Sequence, residues 1–201
     1  MNCTTSIDST SHLIVQKFSD TNLTTLSTAI ISILQNTPIL PQQFLPNPST
    51  LWDKKNVHFL EMITVLDLRD LDLQAVPAEI GKLNNLEDLD LSSNSITSLP
   101  EEVGELKNLI QLSLNNNQFT TIPDVVYKLE RLRGLYLSNN KISQFNSQIT
   151  QLTNLKWLYL NDNLINQLPI EATFFFEGLI KHSVENNPIK GSAQNSDYKA
   201  V

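Results

Sequence analysis

The chain has 201 residues, and its 14 Lys and Arg against 21 Asp and Glu give a formal net charge of −7 at pH 7. This balance argues against nucleic acid or an anionic membrane as partner, because binding phosphates requires clustered Lys and Arg. The one cysteine, Cys3, excludes an intrachain disulfide, so a reducing compartment is expected.

The start of the chain predicts a protein without a targeting signal. Residues 1–18 lack the basic region and the apolar stretch of a secretory signal peptide, and we expect them to be mobile. The longest apolar runs fall far short of the about 20 residues that a membrane-spanning helix needs. The sequence therefore predicts a cytosolic protein with no membrane partner.

A helical cap is predicted over residues 19–62. Apolar residues at helical spacing predict a helix over 19–36, with Ser19-Asp20 as its N-cap. Four prolines in 37–48 predict a linker, because proline interrupts helices and central strands. A second helix is expected over 50–62, opened by a capping box. Its side chains expected to cover the core are Leu51, Trp52, Val57 and Leu60.

A repeat of 23 residues organises the chain from residue 63 to 190. Leucines at 86, 109, 132 and 155 each open the pattern L-x-x-L-x-L-x-x-N-x-φ, in which φ is apolar. An irregular copy with Leu71 in place of the asparagine precedes these four. Another copy follows after one inserted residue, with His182 in place of a leucine. The sequence therefore predicts six units with atypical ends, followed by a polar tail over 191–201.

This pattern resembles the leucine-rich-repeat family, in the 23-residue variety whose second half reads L-P-x-x-φ-x-x-L, as in residues 99–106. The resemblance implies an α/β solenoid, an arc with a parallel β-sheet on its concave side and short α- or 3₁₀-helices on its convex side. The residues agree, because the leucine alternation is that of strands and the recurring prolines can open helical turns. Among family members, the chain is similar to small bacterial effector proteins.

The recurring asparagine is expected to hold neighbouring units together. It stands at the end of each predicted strand, where its amide can donate to and accept from backbone groups of adjacent turns. This predicted structural ladder comprises Asn94, Asn117, Asn140, Asn163 and Asn187.

The sequence contains no arrangement of residues that predicts catalysis. The histidines at 12, 58 and 182 have no spacing that would bring two of them onto one metal ion. Cys3 lacks neighbours that would lower the pKa of its thiol, and the five glycines form no phosphate-binding loop. We expect no catalytic residue, no metal and no cofactor, and a protein that is not an enzyme.

Outward-facing strand residues are the candidate partner-binding site, because a solenoid presents them in columns. Aromatic residues have no packing reason to face outward there, whereas Trp and Tyr dominate interface hot spots. One end of the face carries Tyr136, Trp157 and Tyr159, expected to form one platform, with Arg133 and Lys156 beside it.

The other end of the concave face is acidic. Asp67, Asp88 and Asp90 lie there with only Arg69 to offset them. This end is either a solvated acidic surface or a socket for Lys or Arg of a partner.

From these residues we infer a monomeric protein-protein interaction module that binds a basic or neutral protein surface on its concave face. The resemblance to bacterial effectors implies action inside a host cell after translocation by a specialised secretion system. The alternative is a cytosolic regulatory subunit that modulates a phosphatase or small GTPase. A changed rate of the bound enzyme would distinguish the alternative.

Overall fold

A computed structural model describes residues 23–35 and 45–189. The predicted mobile segment over 1–18, the Ser19-Asp20 N-cap and the polar tail over 191–201 lie outside the described residues.

Six parallel strands form one sheet in sequence order. Successive strands pair one unit apart, so that Leu66 lies beside Leu89 and Leu89 beside Leu112. After the inserted residue, Leu158 pairs with His182. The predicted solenoid with a parallel sheet is therefore confirmed. The strands are β1 Val65–Asp67, β2 Asp88–Asp90, β3 Gln111–Ser113, β4 Gly134–Tyr136, β5 Trp157–Tyr159 and β6 Lys181–Ser183.

After each of the strands β1 to β5, the chain returns to the next strand through a short helix on the convex side. Four of these are 3₁₀ helices, at Ala78–Lys82, Glu101–Glu105, Asp124–Lys128 and Ser147–Gln151. A proline occupies the N-cap of the first three with φ between −70° and −60°, which its ring favours. The fifth return is a longer α-helix at 170–177, also preceded by proline, and it accommodates the inserted residue.

The motif leucines fill one continuous core between the sheet and the convex helices. Leu66, Leu89, Leu112, Leu135 and Leu158 are all fully buried. Burying such a side chain contributes about 1.5–3 kcal/mol, and one unit alone has nothing to bury it against. The stack of units is therefore what stabilises each of them.

The N-terminal segment is helical, but its second helix is shorter than predicted. Helix α1 is Leu23–Gln35 and helix α2 is only Val57–Leu60, preceded by a 3₁₀ turn at Lys54–Asn56. The capping box expected near Thr50 is absent, because the Asp53 N–H, which would donate to the Thr50 hydroxyl in such a box, donates to the Thr50 carbonyl at 3.0 Å. The Thr50 hydroxyl donates backward to the Asn47 carbonyl at 3.2 Å. The same Thr50 carbonyl, which in a longer helix would accept the N–H four residues on, also accepts the Asn56 side-chain amide at 2.8 Å.

The side chains that cover the first repeat differ in part from those predicted. Leu51 and Leu60 are buried as expected, whereas Val57 is 38% exposed and Phe59 is buried in its place. Trp52 is half-buried, and its indole N–H donates to the Ser27 hydroxyl on α1 at 2.7 Å. The short α2 thus turns a different face to the core than a continuous helix would.

The phenylalanines of helix α3, Ile170–Glu177, do not all seal the C-terminal end of the core. Phe176 is buried, Phe175 is half-buried and Phe174 is 75% exposed. Consecutive helical residues point about 100° apart, so three in a row cannot share one face.

Candidate protein-binding surface

The asparagine ladder fixes the loops that border the concave face. The Asn117 amide donates to the carbonyls of Leu91 at 2.9 Å and Leu114 at 3.2 Å, and its oxygen accepts from Ile96 N–H at 3.0 Å. It therefore joins two units through groups that are buried from water. The structure places Asn94, Asn140, Asn163 and Asn187 in the same arrangement.

A second asparagine ladder precedes the strands, and sequence reasoning missed it. Asn85, Asn108 and Asn154 each donate at 2.8 Å to a carbonyl one unit earlier. In the unit where Arg131 replaces this asparagine, its guanidinium donates to the Asn108 side-chain oxygen. The signal was present in the sequence, because these residues occupy the same position, directly before the first leucine of the motif.

Each unit bends away from its strand through a residue in the left-handed backbone region. These residues have φ between 54° and 57°, a range that favours Gly, Asn and Asp. Their side chains line the rim of the concave face, which we call the rim column. Its members are Asp70, Ser93, Asn116, Asn139, Asp162 and Asn186.

Two of the three predicted aromatic residues form a stacked pair on the concave face. Tyr136 and Tyr159 are register partners on β4 and β5, with ring centroids 5.5 Å apart and planes tilted by 11°. Burial, followed by the neighbouring Tyr159 and Asp88, raises the pKa of the Tyr136 hydroxyl. Trp157 is half-buried and joins no ring contact within the described part of the chain, so the structure holds a two-ring stack and a separate indole.

Gly134 provides the space in which the Tyr136 ring lies. A Cβ added to Gly134 would come within 2.9 Å of Tyr136 Cε2 and 3.1 Å of its hydroxyl. From this position the Tyr136 hydroxyl reaches Gln111 Oε1 on β3 at 3.3 Å. The other strands carry a side chain where β4 has glycine, so this glycine sets the orientation of the stack.

At the acidic end, Arg69 already binds the predicted socket residues. Its guanidinium donates to both carboxylate oxygens of Asp67, at 2.9 Å and 2.6 Å, and lies 3.5 Å from Asp90 Oδ2. Asp67 is buried to 9% exposure, and the Ser92 backbone N–H donates to Asp90 at 2.9 Å. A partner's cation would therefore compete with an internal one at Asp67 and Asp90. Asp88 is half-buried beside them on β2.

The two basic residues predicted beside the aromatic end directly precede β4 and β5. Arg133 is exposed and Lys156 is half-buried. Their backbone carbonyls bond to the following unit. Arg133 O accepts from the N–H groups of Lys156 and Trp157, and Lys156 O accepts from those of Ile180 and Lys181. Both side chains border the aromatic end without contacting its rings in the described structure.

An open cleft of about 290 Å³ lies between the stacked tyrosines and the rim of the face. Its lining consists of amide, hydroxyl and phenol side chains, which can donate and accept hydrogen bonds but carry no charge at neutral pH. The lining residues are Asn115, Asn116, Tyr136, Ser138, Asn139 and Tyr159.

Over residues 23–35 and 45–189, no group of three or more His, Cys, Asp or Glu is arranged to hold a metal ion. No helix within these ranges combines the length and the apolar character that crossing a membrane requires.

A family model described as a leucine-rich repeat region matches residues 49–163. The match covers more than half of the chain, and the chain belongs to this family of repeat proteins, whose fold serves protein-protein interaction. No curated protein matches the sequence.

Solved structures of this family share the fold over most of the chain. A leucine-rich-repeat protein of Leptospira interrogans is 37% identical with a TM-score of 0.63, over 69% of this chain and 35% of that one. The ectodomain of an Arabidopsis thaliana receptor kinase is 31% identical with a TM-score of 0.53, over 62% and 70%.

A third similar structure contains a bound partner. It is a plant membrane receptor kinase ectodomain from Arabidopsis thaliana in complex with Casparian strip integrity factor 2, at 26% identity and a TM-score of 0.58. That similarity covers 74% of this chain and 19% of the receptor ectodomain. This chain therefore spans about a third of the Leptospira protein and about a fifth of this ectodomain.

Proposed function

We propose that this chain is a non-catalytic binding module that holds a protein partner on the aromatic end of its concave face. The observation that carries the proposal is the Tyr136–Tyr159 stack, in which two large rings lie on outward strand positions instead of in the core. Partly exposed tyrosines of this kind lose little conformational entropy on binding and bury a large area. The complex formed by a similar plant receptor ectodomain supports this use of the fold.

The test compares the stack with an exposed aromatic residue elsewhere. Affinity-tagged protein would capture a partner, and calorimetry would give Kd with the purified partner for wild type, Tyr136→Ala/Tyr159→Ala, Trp157→Ala and Phe174→Ala. We expect the double variant to lose at least about 2 kcal/mol of binding free energy, the loss typical of hot-spot aromatics. Phe174→Ala, on the exposed face of α3, should bind as wild type. Equal affinity of the double variant and wild type would refute the proposal.

The finer biological role is also a proposal. The 37% identity to a Leptospira interrogans protein supports a bacterial role, and an effector acting in the reducing cytosol of a host cell is the role we put forward. Regulation of a phosphatase or small GTPase is the alternative. Assaying the captured partner with and without the module separates them, because a regulator changes the partner's rate.

A further inference from the structure

The cleft beside the tyrosine stack contains hydrogen-bonding groups that the fold itself leaves unused. The side-chain amides of Asn116 and Asn139 form no hydrogen bond within the described residues. Their backbone N–H groups, in contrast, are fixed, since they donate to the carbonyls of Ser138 and Asn161 at 2.9 Å and 3.0 Å. Two amides are thus held on an ordered backbone with their donors and acceptors available.

Toward the C-terminal end of the rim column, the side chains already form hydrogen bonds with protein groups. Asp162 accepts from Asn161 at 2.6 Å and from Asn186 at 2.7 Å, and these bonds lower the pKa of its carboxyl group. Asn116 and Asn139 are neighbours in this column on adjacent units, and adjacent strands lie about 4.8 Å apart. The two uncommitted amides therefore line the same cleft from adjacent units.

The charge of the cleft restricts what can enter it. None of its six lining residues carries a formal charge. Asp67 and Asp90 already face Arg69, and Asp162 on the rim already accepts from Asn161 and Asn186. Asp88, whose charge adds to burial in raising the pKa of the Tyr136 hydroxyl, does not line the cleft. A Lys or Arg of a partner would find no carboxylate among these six lining residues with which to form an ion pair. A neutral amide would instead exchange its hydrogen bonds with water for bonds with Asn116 and Asn139.

We propose that this cleft recognises an uncharged, Asn- or Gln-containing segment of the protein partner, through the side-chain amides of Asn116 and Asn139. This inference rests on the proposed function and narrows it, because an uncharged lining favours a neutral contact over a basic one at the cleft. The tyrosine stack forms one wall, and the partner's amide bonds to the rim opposite.

The experiment begins with a random-peptide phage library selected on the 201-residue chain and counter-selected on its Tyr136→Ala/Tyr159→Ala variant. Enriched peptides would be synthesised and their binding measured by fluorescence polarisation. We expect uncharged peptides containing Asn or Gln, whose affinity changes less than about twofold between 50 and 500 mM NaCl, because no ion pair is screened.

The variants Asn116→Gly and Asn139→Gly remove each amide while keeping the left-handed backbone, where glycine is unstrained. Each should weaken binding of these peptides at least fivefold. Ser93→Gly, at φ 57° in the same column but outside the cleft, is the matched control and should leave affinity unchanged. Asn116→Asp should also weaken binding.

Other outcomes separate the inference from the proposed function. Enriched peptides rich in Lys or Arg, with salt-sensitive affinity that Asn116→Asp strengthens, would overturn the inference while a tyrosine-dependent protein site remains. Unchanged affinity of both glycine variants would overturn it equally. If no peptide distinguishes wild type from the double tyrosine variant but neutral oligosaccharides do, both the inference and the proposed protein partner are wrong.

Discussion

Asn117 bonds to backbone groups of two neighbouring units, and the residue is 3% exposed. We expect Asn117→Ala to lower the free energy of unfolding by about 1–3 kcal/mol, because it leaves buried N–H and C=O groups unpaired. Urea denaturation measures the change.

The control for this variant is Asn116→Gly. Asn116 is exposed, and its φ of 54° makes alanine a poor choice, since left-handed backbone costs about 1–2 kcal/mol for a residue with a Cβ. Glycine removes the amide without that cost, so its midpoint should equal or exceed that of wild type. Equal losses for both variants would show that the bonds of the ladder do not stabilise the fold.

His182 places a polar ring where other units have leucine. Its ring stacks on Phe176 at 4.8 Å, and Nε2 is buried without a hydrogen-bond partner among the described residues. Burial lowers the pKa of His182 below its ordinary value of 6.5. The unfolded chain therefore binds a proton at a higher pH than the folded chain, and stability should fall as pH drops below about 6.5.

His182→Leu should remove this contribution to the pH dependence and raise stability near neutral pH by about 1–2 kcal/mol, since it removes the unpaired nitrogen. Thermal unfolding between pH 5 and 8 gives both values. His58→Gln is the control, because His58 is exposed and should keep the acid-dependent loss of wild type. A pH profile of His182→Leu identical to wild type would contradict the assignment.

At the scale of the strand, β4 combines Gly134 and Tyr136 on the same outward face. Gly134→Ala should push the Tyr136 ring out of its position, since the new Cβ would lie 2.9 Å from Cε2. The tyrosine stack should then separate, and the near-UV circular dichroism should change. Partner binding should weaken while the free energy of unfolding stays within about 1 kcal/mol of wild type, since Ala suits a strand at least as well as Gly. An unaltered near-UV spectrum would mean that the stack does not depend on Gly134.

Helix α2 ties the N-terminal segment to the first repeat through Leu60, which is 1% exposed. We expect Leu60→Ala to cost about 2–5 kcal/mol, because it leaves a cavity beneath the helix. Met62→Ala, at a site 40% exposed, should change stability by no more than about 0.5 kcal/mol. A single transition shifted by Leu60→Ala would show that cap and repeats unfold together. A separate early transition would show that the cap is independent.

Across the whole molecule, repetition made the sequence informative. The strand leucines and the ladder asparagines recur at one spacing, so each copy supports the assignment of the others, and the sheet follows that spacing. The prediction of the second helix was wrong because that segment occurs once, so no other copy supports its assignment. Its conformation depends on local hydrogen bonds, in which the Thr50 hydroxyl bonds to Asn47 and the Thr50 carbonyl to Asn56.

The side-chain arrangement of the candidate surface could not be predicted from the sequence, for a different reason. The columns correctly paired Tyr136 with Tyr159, but the direction of each ring depends on the space that Gly134 leaves. In the same way, the sequence showed Arg69 among acidic residues without showing that its guanidinium donates to both carboxylate oxygens of Asp67. Side-chain conformation, which no repeat pattern encodes, decides both arrangements.

The two ends of the sheet are covered differently, and this gives the solenoid a direction. Leu51 and Leu60 of the N-terminal segment are buried in the same core as Leu66 of β1. The unit of β6 instead contains His182, whose Nε2 is buried without a hydrogen-bond partner among the described residues. Because each unit contacts only its neighbours, unfolding should begin as fraying at β6 and proceed toward β1. Amide hydrogen exchange would then record a gradient of protection along the array, highest near its N-terminal half, with the tyrosine stack of β4 and β5 in the region that opens more readily.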